Sequence, residues 1–231
     1  MNWELGQHPK FSGVEGPVLI CVMDGVGIGR NDESDAVWLA RTPHLDRLRE
    51  LALTARLTAH GKAVGMPNDS DMGNSEVGHN ALGAGRTFDQ GAKLVARAVA
   101  SGSLFEGASW RQLTERVRAS GQPMHFMGLL SDGNVHSHID HLFAMVRRCH
   151  LEGIEKVRIH ALLDGRDVPE TSALGYIEPL ENLLAEISRS PNRDYRVASG
   201  GGRMFITMDR YEADWPMVER GWKTHVLGEA R

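Results

Sequence analysis

Residues 68–86 read NDSDMGNSEVGHNALGAGR, and their GNSEVGH core sets a hydroxyl (Ser75), a carboxylate (Glu76) and an imidazole (His79) within five residues, among glycines that add no side-chain packing. Glycine lets a backbone come close to a ligand, so something is expected to approach here. Two uses of Ser75 fit the pattern. Asn-Ser-Glu before Val77 resembles a helix start, in which case Ser75 caps the first turn. A hydroxyl at a helix N-terminus also sees unpaired N–H groups and the positive end of the dipole. These stabilise an alkoxide and a phosphoryl group attached to it, and a metal ion can activate the oxygen further.

Four more polar clusters carry candidate chemistry. Asp24 opens DGVGIGR, whose glycines do not match the dinucleotide pattern G-x-G-x-x-G; the Asp-Gly pair makes a turn or offers a carboxylate oxygen to a divalent cation. His136 and His138 lie in SDGNVHSH, with His141 a turn later. They lack the HExxH and Cys/His spacings of zinc sites, which favours a single histidine bonding a substrate anion. DGRD (Asp164, Arg166, Asp167) alternates in sign and forms either a salt-bridged loop or, with Arg203 and Arg210, an anion clamp, because guanidinium matches phosphate and carboxylate bidentately.

The elements that must position these residues alternate between strand-like and helix-like. Residues 18–23 (VLICVM) are a short apolar run that suits a strand buried on both faces. Thr42 and Pro43 then start a helix that presents Leu45, Leu48, Leu51 and Ala52 on one face. A helix over 93–100 follows. After it come strand 125–130 with helix 139–150, strand 157–163 with helix 172–188, and strand 195–198 with helix 214–226. The alternation predicts an α/β fold with parallel sheets flanked by helices and right-handed crossovers. Asp24, 131–138, 164–167 and 199–203 then all fall at carboxyl ends of strands, where open parallel sheets place their ligand crevice.

Composition sets outer bounds. At 231 residues and 41% hydrophobic the chain can bury a sizeable core, and 26 basic against 30 acidic side chains, with no long run of either sign, point to neither a nucleic-acid nor a membrane partner. The start lacks the basic-then-apolar order of a secretory signal, which implies a cytoplasmic protein. Cys21 and Cys149 have no CxxC spacing and are expected to be reduced bystanders.

DGVGIG, MGNSEVGHNALGAGR, MGLLSDGNVHSHIDHL, HALLDGRDVPETSALGYI and GGGRMFITMDRYEADWPMVERGW, in this order over nearly the whole chain, resemble the cofactor-independent (2,3-bisphosphoglycerate-independent) phosphoglycerate mutases. The GGGR-to-MDR spacing resembles the plant and trypanosomatid branch. The resemblance implies an enzyme that exchanges phosphate between the 3- and 2-hydroxyls of glycerate through a phosphoserine, with no 2,3-bisphosphoglycerate. It also implies an alkaline-phosphatase-like metal domain, begun here by 1–88, and an inserted α/β transferase domain, here 89–231. By motif position Ser75 resembles the phosphorylated serine, Asp24 and Ser75 resemble ligands of one of a pair of divalent ions, typically manganese, and His136, Arg166, Asp167, Arg203 and Arg210 resemble the substrate-holding residues. The family chain continues past this point with further Asp and His metal ligands, a lysine and more arginines, so the sequence reads as the N-terminal portion of an enzyme that is a monomer at full length. The alternatives are a related metal-dependent phosphatase or phosphomutase, and an inactive phosphoglycerate-binding fragment.

Overall fold

The computed structural model describes residues 6–51, 54–209 and 211–230. Ala52 and Arg210, both named above, lie outside the described residues. The chain divides into two compact units, Met1–Arg56 and Leu57–Arg231.

In the first unit, α1 (Ala36–Leu39) is capped by Asp35, whose carboxylate accepts from Trp38 N at 3.0 Å. α2 (Pro43–Glu50) begins with proline at its first position as expected, but the Thr42 hydroxyl donates to Asp46 Oδ1 at 3.1 Å and does not cap the backbone. Residues 18–23 depart from the expectation. They pair with no strand among the described residues, and their side chains are exposed, Leu19 by 90%. A strand buried on both faces needs neighbours that accept its backbone hydrogen bonds and cover its apolar side chains; without them an apolar run stays irregular.

The second unit opens with a 3₁₀ turn (Gly61–Val64) and α3 (Ser75–Ala84), joined through a small cluster of Val64, Met66 and Val77 with Ala92 packed against it. α4 (Gly91–Ser101), α5 (Ser103–Glu106) and α6 (Ala108–Ser120) follow. The helix expected over 93–100 is α4; α5 and α6 fall where no element was expected. α6 buries only Trp110 and Thr114, too narrow a stripe for a clear 3.6-residue period. Trp110 stacks edge-on to Phe105 and donates to Glu152 Oε1 at 3.0 Å, which fastens α6 to the end of the next helix.

The sheet has three parallel strands in the order β1 (Met124–Leu130), β2 (Lys156–Leu163), β3 (Asp194–Gly202). Its crossovers carry α7 (Ile139–Leu151) and α8 (Ala173–Ser188). Both strand–helix units match their expected positions, because each strand is a β-rich apolar run and each helix buries a regular stripe. Val146, Cys149, Val157, Ile159, Leu180 and Leu184 meet in one core. Burial, with the Glu152 charge second, pushes the Cys149 thiol up to about 12, and both cysteines are free.

β3 runs four residues past its expected end, through SGGG. Ile159 opposes Val197 whereas His160 opposes Ser199, so Ala198 is an extra residue that bulges the strand. The glycines that follow make close approaches possible: a Cβ on Gly200 would sit 2.7 Å from Ala161 O, and one on Gly201 2.7 Å from Ile206 Cδ1. α9 (Arg203–Ile206) can therefore fold back on β3. α10 (Trp215–Trp222) packs on α9 so tightly that a Cβ on Gly221 would fall 1.9 Å from Ile206 O. The expected helix 214–226 ends as α10 and a π turn over Lys223–Leu227.

The bulge also aligns a polar chain. His125 Nδ1 lies 2.9 Å from His160 Nε2, His160 Nδ1 2.6 Å from Ser199 Oγ, and Ser199 Oγ 2.8 Å from His225 Nδ1. His225 Nε2 is buried and unpartnered among the described residues. Burial first, then the neighbouring His125 and His225, push His160 below the ordinary imidazole range.

Leu180→Ala, at a fully buried position, is expected to lower stability by about 2–5 kcal/mol, against less than about 0.5 for the exposed Leu151→Ala, read from urea unfolding midpoints. For His160 the folded proton affinity lies below the unfolded one. Its contribution to stability is complete above about pH 6.5 and is lost as pH falls through the folded value. A chain with His160→Gln should show a flatter stability–pH curve below that pH, and an unchanged curve would reject the assignment.

Candidate functional site

The parallel register brings the strand ends into one row. Leu130 pairs with Leu163 and Leu163 with Gly202, so the residue after each strand, Ser131, Asp164 and Arg203, falls in line across the carboxyl edge of the sheet. Were Ala198 paired with His160 in a regular register, the row would carry Gly202 in place of Arg203.

Asp164 is the centre of this row. Its Oδ2 accepts from Ser131 Oγ at 2.7 Å, and its Oδ1 accepts from Arg166 N at 3.2 Å, Asp167 N at 3.0 Å and Arg203 Nη1 at 2.8 Å. Burial acts to raise its pKa. The hydrogen bonds from Asp167 N, Ser131 Oγ and Arg166 N, together with the Arg203 charge, outweigh it and hold the carboxyl below the usual range. Ser131 Oγ in turn accepts from Gly133 N at 3.0 Å. Gly133 leaves little room for a side chain, since a Cβ would press on Asp167 Cβ at 3.2 Å.

The substrate-holding candidates gather around that centre. Arg203 is 3% exposed, and its Nη1 also donates to Asp167 Oδ2 at 2.7 Å. The His136 imidazole, exposed at the rim, places Nε2 3.9 Å from the same Asp167 oxygen. Arg166 leaves the Asp164 turn as an exposed side chain, with Nη1 3.8 Å from Met208 Sδ. Tyr176 on α8 donates to Asp132 Oδ1 at 2.6 Å and ties the 131–138 loop to that helix. His138 takes a different role from His136: its Nδ1 accepts from Asp140 N at 3.2 Å and caps α7. A cleft of about 250 Å³ beside β1 is lined by Val95, Phe126, Leu142 and His136, but Asp164, Arg166, Asp167 and Arg203 stand outside it.

Ser75 sits elsewhere in the second unit, as the first residue of α3. The cap is Asn74, whose Oδ1 accepts from Val77 N at 2.9 Å, so Ser75 is released from the capping use. Its exposed Oγ lies 3.2 Å from His79 Nδ1, which is also 2.7 Å from Ser75 O. Asp24, in the first unit, is exposed beside Gly25, which turns with φ +74°. Among the described residues no three or more His, Cys, Asp or Glu are grouped to hold a metal ion.

Two members of the site went unassigned in the sequence, Ser131 and the structural role of Asp164. The signal was present: each is the first polar residue after a strand, and strands in phase place such residues side by side.

The family model for the BPG-independent phosphoglycerate mutase N-terminus matches residues 95–231, more than half of the chain. The chain belongs to this family. Among its relatives, a probable 2,3-bisphosphoglycerate-independent phosphoglycerate mutase of Leptospira interrogans is 55% identical over 216 residues, which are 93% of this chain and 39% of the relative. The Trypanosoma brucei brucei mutase is 51% identical, with 93% and 39% covered, and that of Zea mays 48% identical, with 99% and 41% covered. A Leishmania mexicana phosphoglycerate mutase crystallised at low cobalt concentration superposes with a TM-score of 0.80 at 50% identity, over 91% of this chain and 38% of that one. The chain thus spans about two fifths of the length of its mutase relatives. No helix among the described residues is long and apolar enough to cross a membrane.

If Asn74 caps α3, Asn74→Ala should cost about 0.5–2 kcal/mol and speed amide exchange in that helix, while Ser75→Ala leaves it nearly unchanged. Equal effects would return Ser75 to the capping role.

Proposed function

We propose that the chain forms the N-terminal part of a cytoplasmic, monomeric, metal-dependent enzyme that interconverts 3-phosphoglycerate and 2-phosphoglycerate through a phosphoserine at Ser75, without 2,3-bisphosphoglycerate. The observation that carries the reading is the convergence of His136, Asp167 and Arg203 on the Asp164 row, with Arg166 on the same turn. Family membership supports it. In this reading residues 1–88 begin the metal-binding domain and 89–231 belong to the transferase domain.

Asp24 and Ser75 each carry an oxygen donor of the kind that suits a hard or borderline divalent ion such as manganese; the Leishmania mexicana mutase was crystallised in the presence of cobalt, another borderline divalent ion, which agrees with that donor chemistry. A single oxygen donor does not complete a coordination shell, so each would need further ligands. When bound, such an ion supplies Lewis-acid stabilisation of the serine oxygen and the phosphoryl group.

The chain's own residues do the following. Ser75 Oγ attacks phosphorus while the bond from phosphorus to the glycerate 3-oxygen breaks, the serine proton passing to that leaving oxygen, and the positive end of α3 stabilises charge on the phosphoryl oxygens. Arg203, Arg166 and Arg210 hold the carboxylate and phosphoryl oxygens, with the Arg203 plane set by its two carboxylate contacts. Asp167, whose Oδ2 lies 3.9 Å from His136 Nε2, is suited to take the proton from the glycerate hydroxyl that attacks next. Glycerate turns in place, its 2-oxygen attacks phosphorus while the bond from phosphorus to Ser75 Oγ breaks, and the proton taken by Asp167 passes to Ser75 Oγ.

The test uses an enzyme of the relatives' full length with this segment as its N-terminal part. It should interconvert the two phosphoglycerates with no added bisphosphate, and Ser75→Ala should lower turnover by roughly 10³-fold or more with the fold intact. A strict requirement for 2,3-bisphosphoglycerate, or near-normal turnover of Ser75→Ala, rejects the proposal.

A further inference from the structure

The row at the sheet edge contains a buried carboxylate. The Asp164 side chain is 2% exposed, yet it is the residue on which the candidate anion-holding groups depend. We propose that Asp164, backed by Ser131, is a positioning residue for anion recognition, setting the plane of the Arg203 guanidinium and the backbone turn that carries Arg166 and Asp167. The proposal deepens the reading of this site as a phosphoglycerate clamp and rests on it.

The guanidinium is planar and rigid, so fixing one nitrogen by two contacts fixes the whole fork. Arg203 Nη1 is held between Asp164 Oδ1 at 2.8 Å and Asp167 Oδ2 at 2.7 Å. Among the described residues Arg203 hydrogen-bonds through Nη1 alone, so Nε and Nη2 keep unused donors whose spacing matches a bidentate oxyanion. The same Asp164 oxygen accepts the N–H groups of Arg166 and Asp167 across Gly165, whose φ of +64° turns the chain between them. Asp164 therefore fixes the Arg203 side chain directly and the other two residues through their backbone. Ser131 Oγ holds the second oxygen and stops the carboxylate from rotating.

Positioning and plain electrostatics predict opposite signs. Asp164 is a negative charge beside a proposed anion site. If charge alone mattered, Asp164→Asn would remove repulsion and tighten anion binding. If Asp164 aims the donors, the same substitution weakens binding, because the amide keeps the shape but not the charge that holds Nη1. A residue that only stabilises the fold would leave the affinity of the folded chain unchanged.

The experiment titrates 3-phosphoglycerate into the 231-residue chain by calorimetry, with thermal unfolding run in parallel. The unmutated chain should bind, Asp164→Asn should bind about tenfold more weakly or worse, and Ser131→Ala should show a smaller loss of the same sign. Asp164→Asn should add little in an Arg203→Lys background, since both act on one fork. Equal or tighter binding by Asp164→Asn overturns the positioning role and leaves the anion site standing. No binding by the unmutated chain overturns the anion site and this role with it. If Asp164→Asn does not fold, Ser131→Ala decides, and an affinity equal to that of the unmutated chain overturns the proposal.

Discussion

Arg203 and Asp164 meet at 2.8 Å where both side chains are almost fully removed from water. Burying two charges carries a desolvation penalty of several kcal/mol per ion, and their attraction compensates only when the remaining lone pairs and protons find partners. Here the contacts that complete the pair come from Asp164's own turn and from the ends of the two neighbouring strands. Ser131 follows β1, the Arg166 and Asp167 amides follow β2, and Arg203 follows β3. The pair thus constrains the sheet register: slipping either neighbour by one residue would leave a buried charge without its partners.

That constraint accounts for the unusual end of β3. A regular strand would put a glycine opposite Asp164, and the extra residue at Ala198 moves Arg203 into the row. The same irregularity sets Ser199 against His160, linking the sheet to His225 near the chain's end. The glycines beyond it admit α9, whose first residue is Arg203. One inserted residue and a run without side chains together convert a strand end into a buried cation.

The two candidate centres are embedded differently. The clamp stands on a sheet backed by the main core, whereas α3 buries only Val77, against a small cluster. In the proposed reaction that difference is useful. A substrate that must stay bound while it turns needs rigid donors, and the serine that accepts phosphate only has to be presented with its oxygen free of the helix cap. Asn74 meets that need by taking the cap.

Much of this was legible in the residues. Strong apolar runs and wide helical stripes marked β1, α7, β2 and α8, because burial in a parallel α/β layer demands those patterns locally. The ordered motif blocks identified the family and with it His136, Arg166, Asp167 and Arg203 as a group. Local pattern failed where partners are remote. Residues 18–23 carry a strand's composition but have no strand beside them among the described residues, α6 buries too little to show a period, and SGGG extends as a strand because Ala161 and Ile206 lie against it. By itself, then, the sequence determined which side chains are available and which segments must bury. Only the tertiary structure decided that Ser131, Asp164 and Arg203 stand in one row and that Asn74 rather than Ser75 caps α3. Register and capping are outcomes of competition among donors and acceptors brought together by the fold, and no single segment contains both sides of that competition.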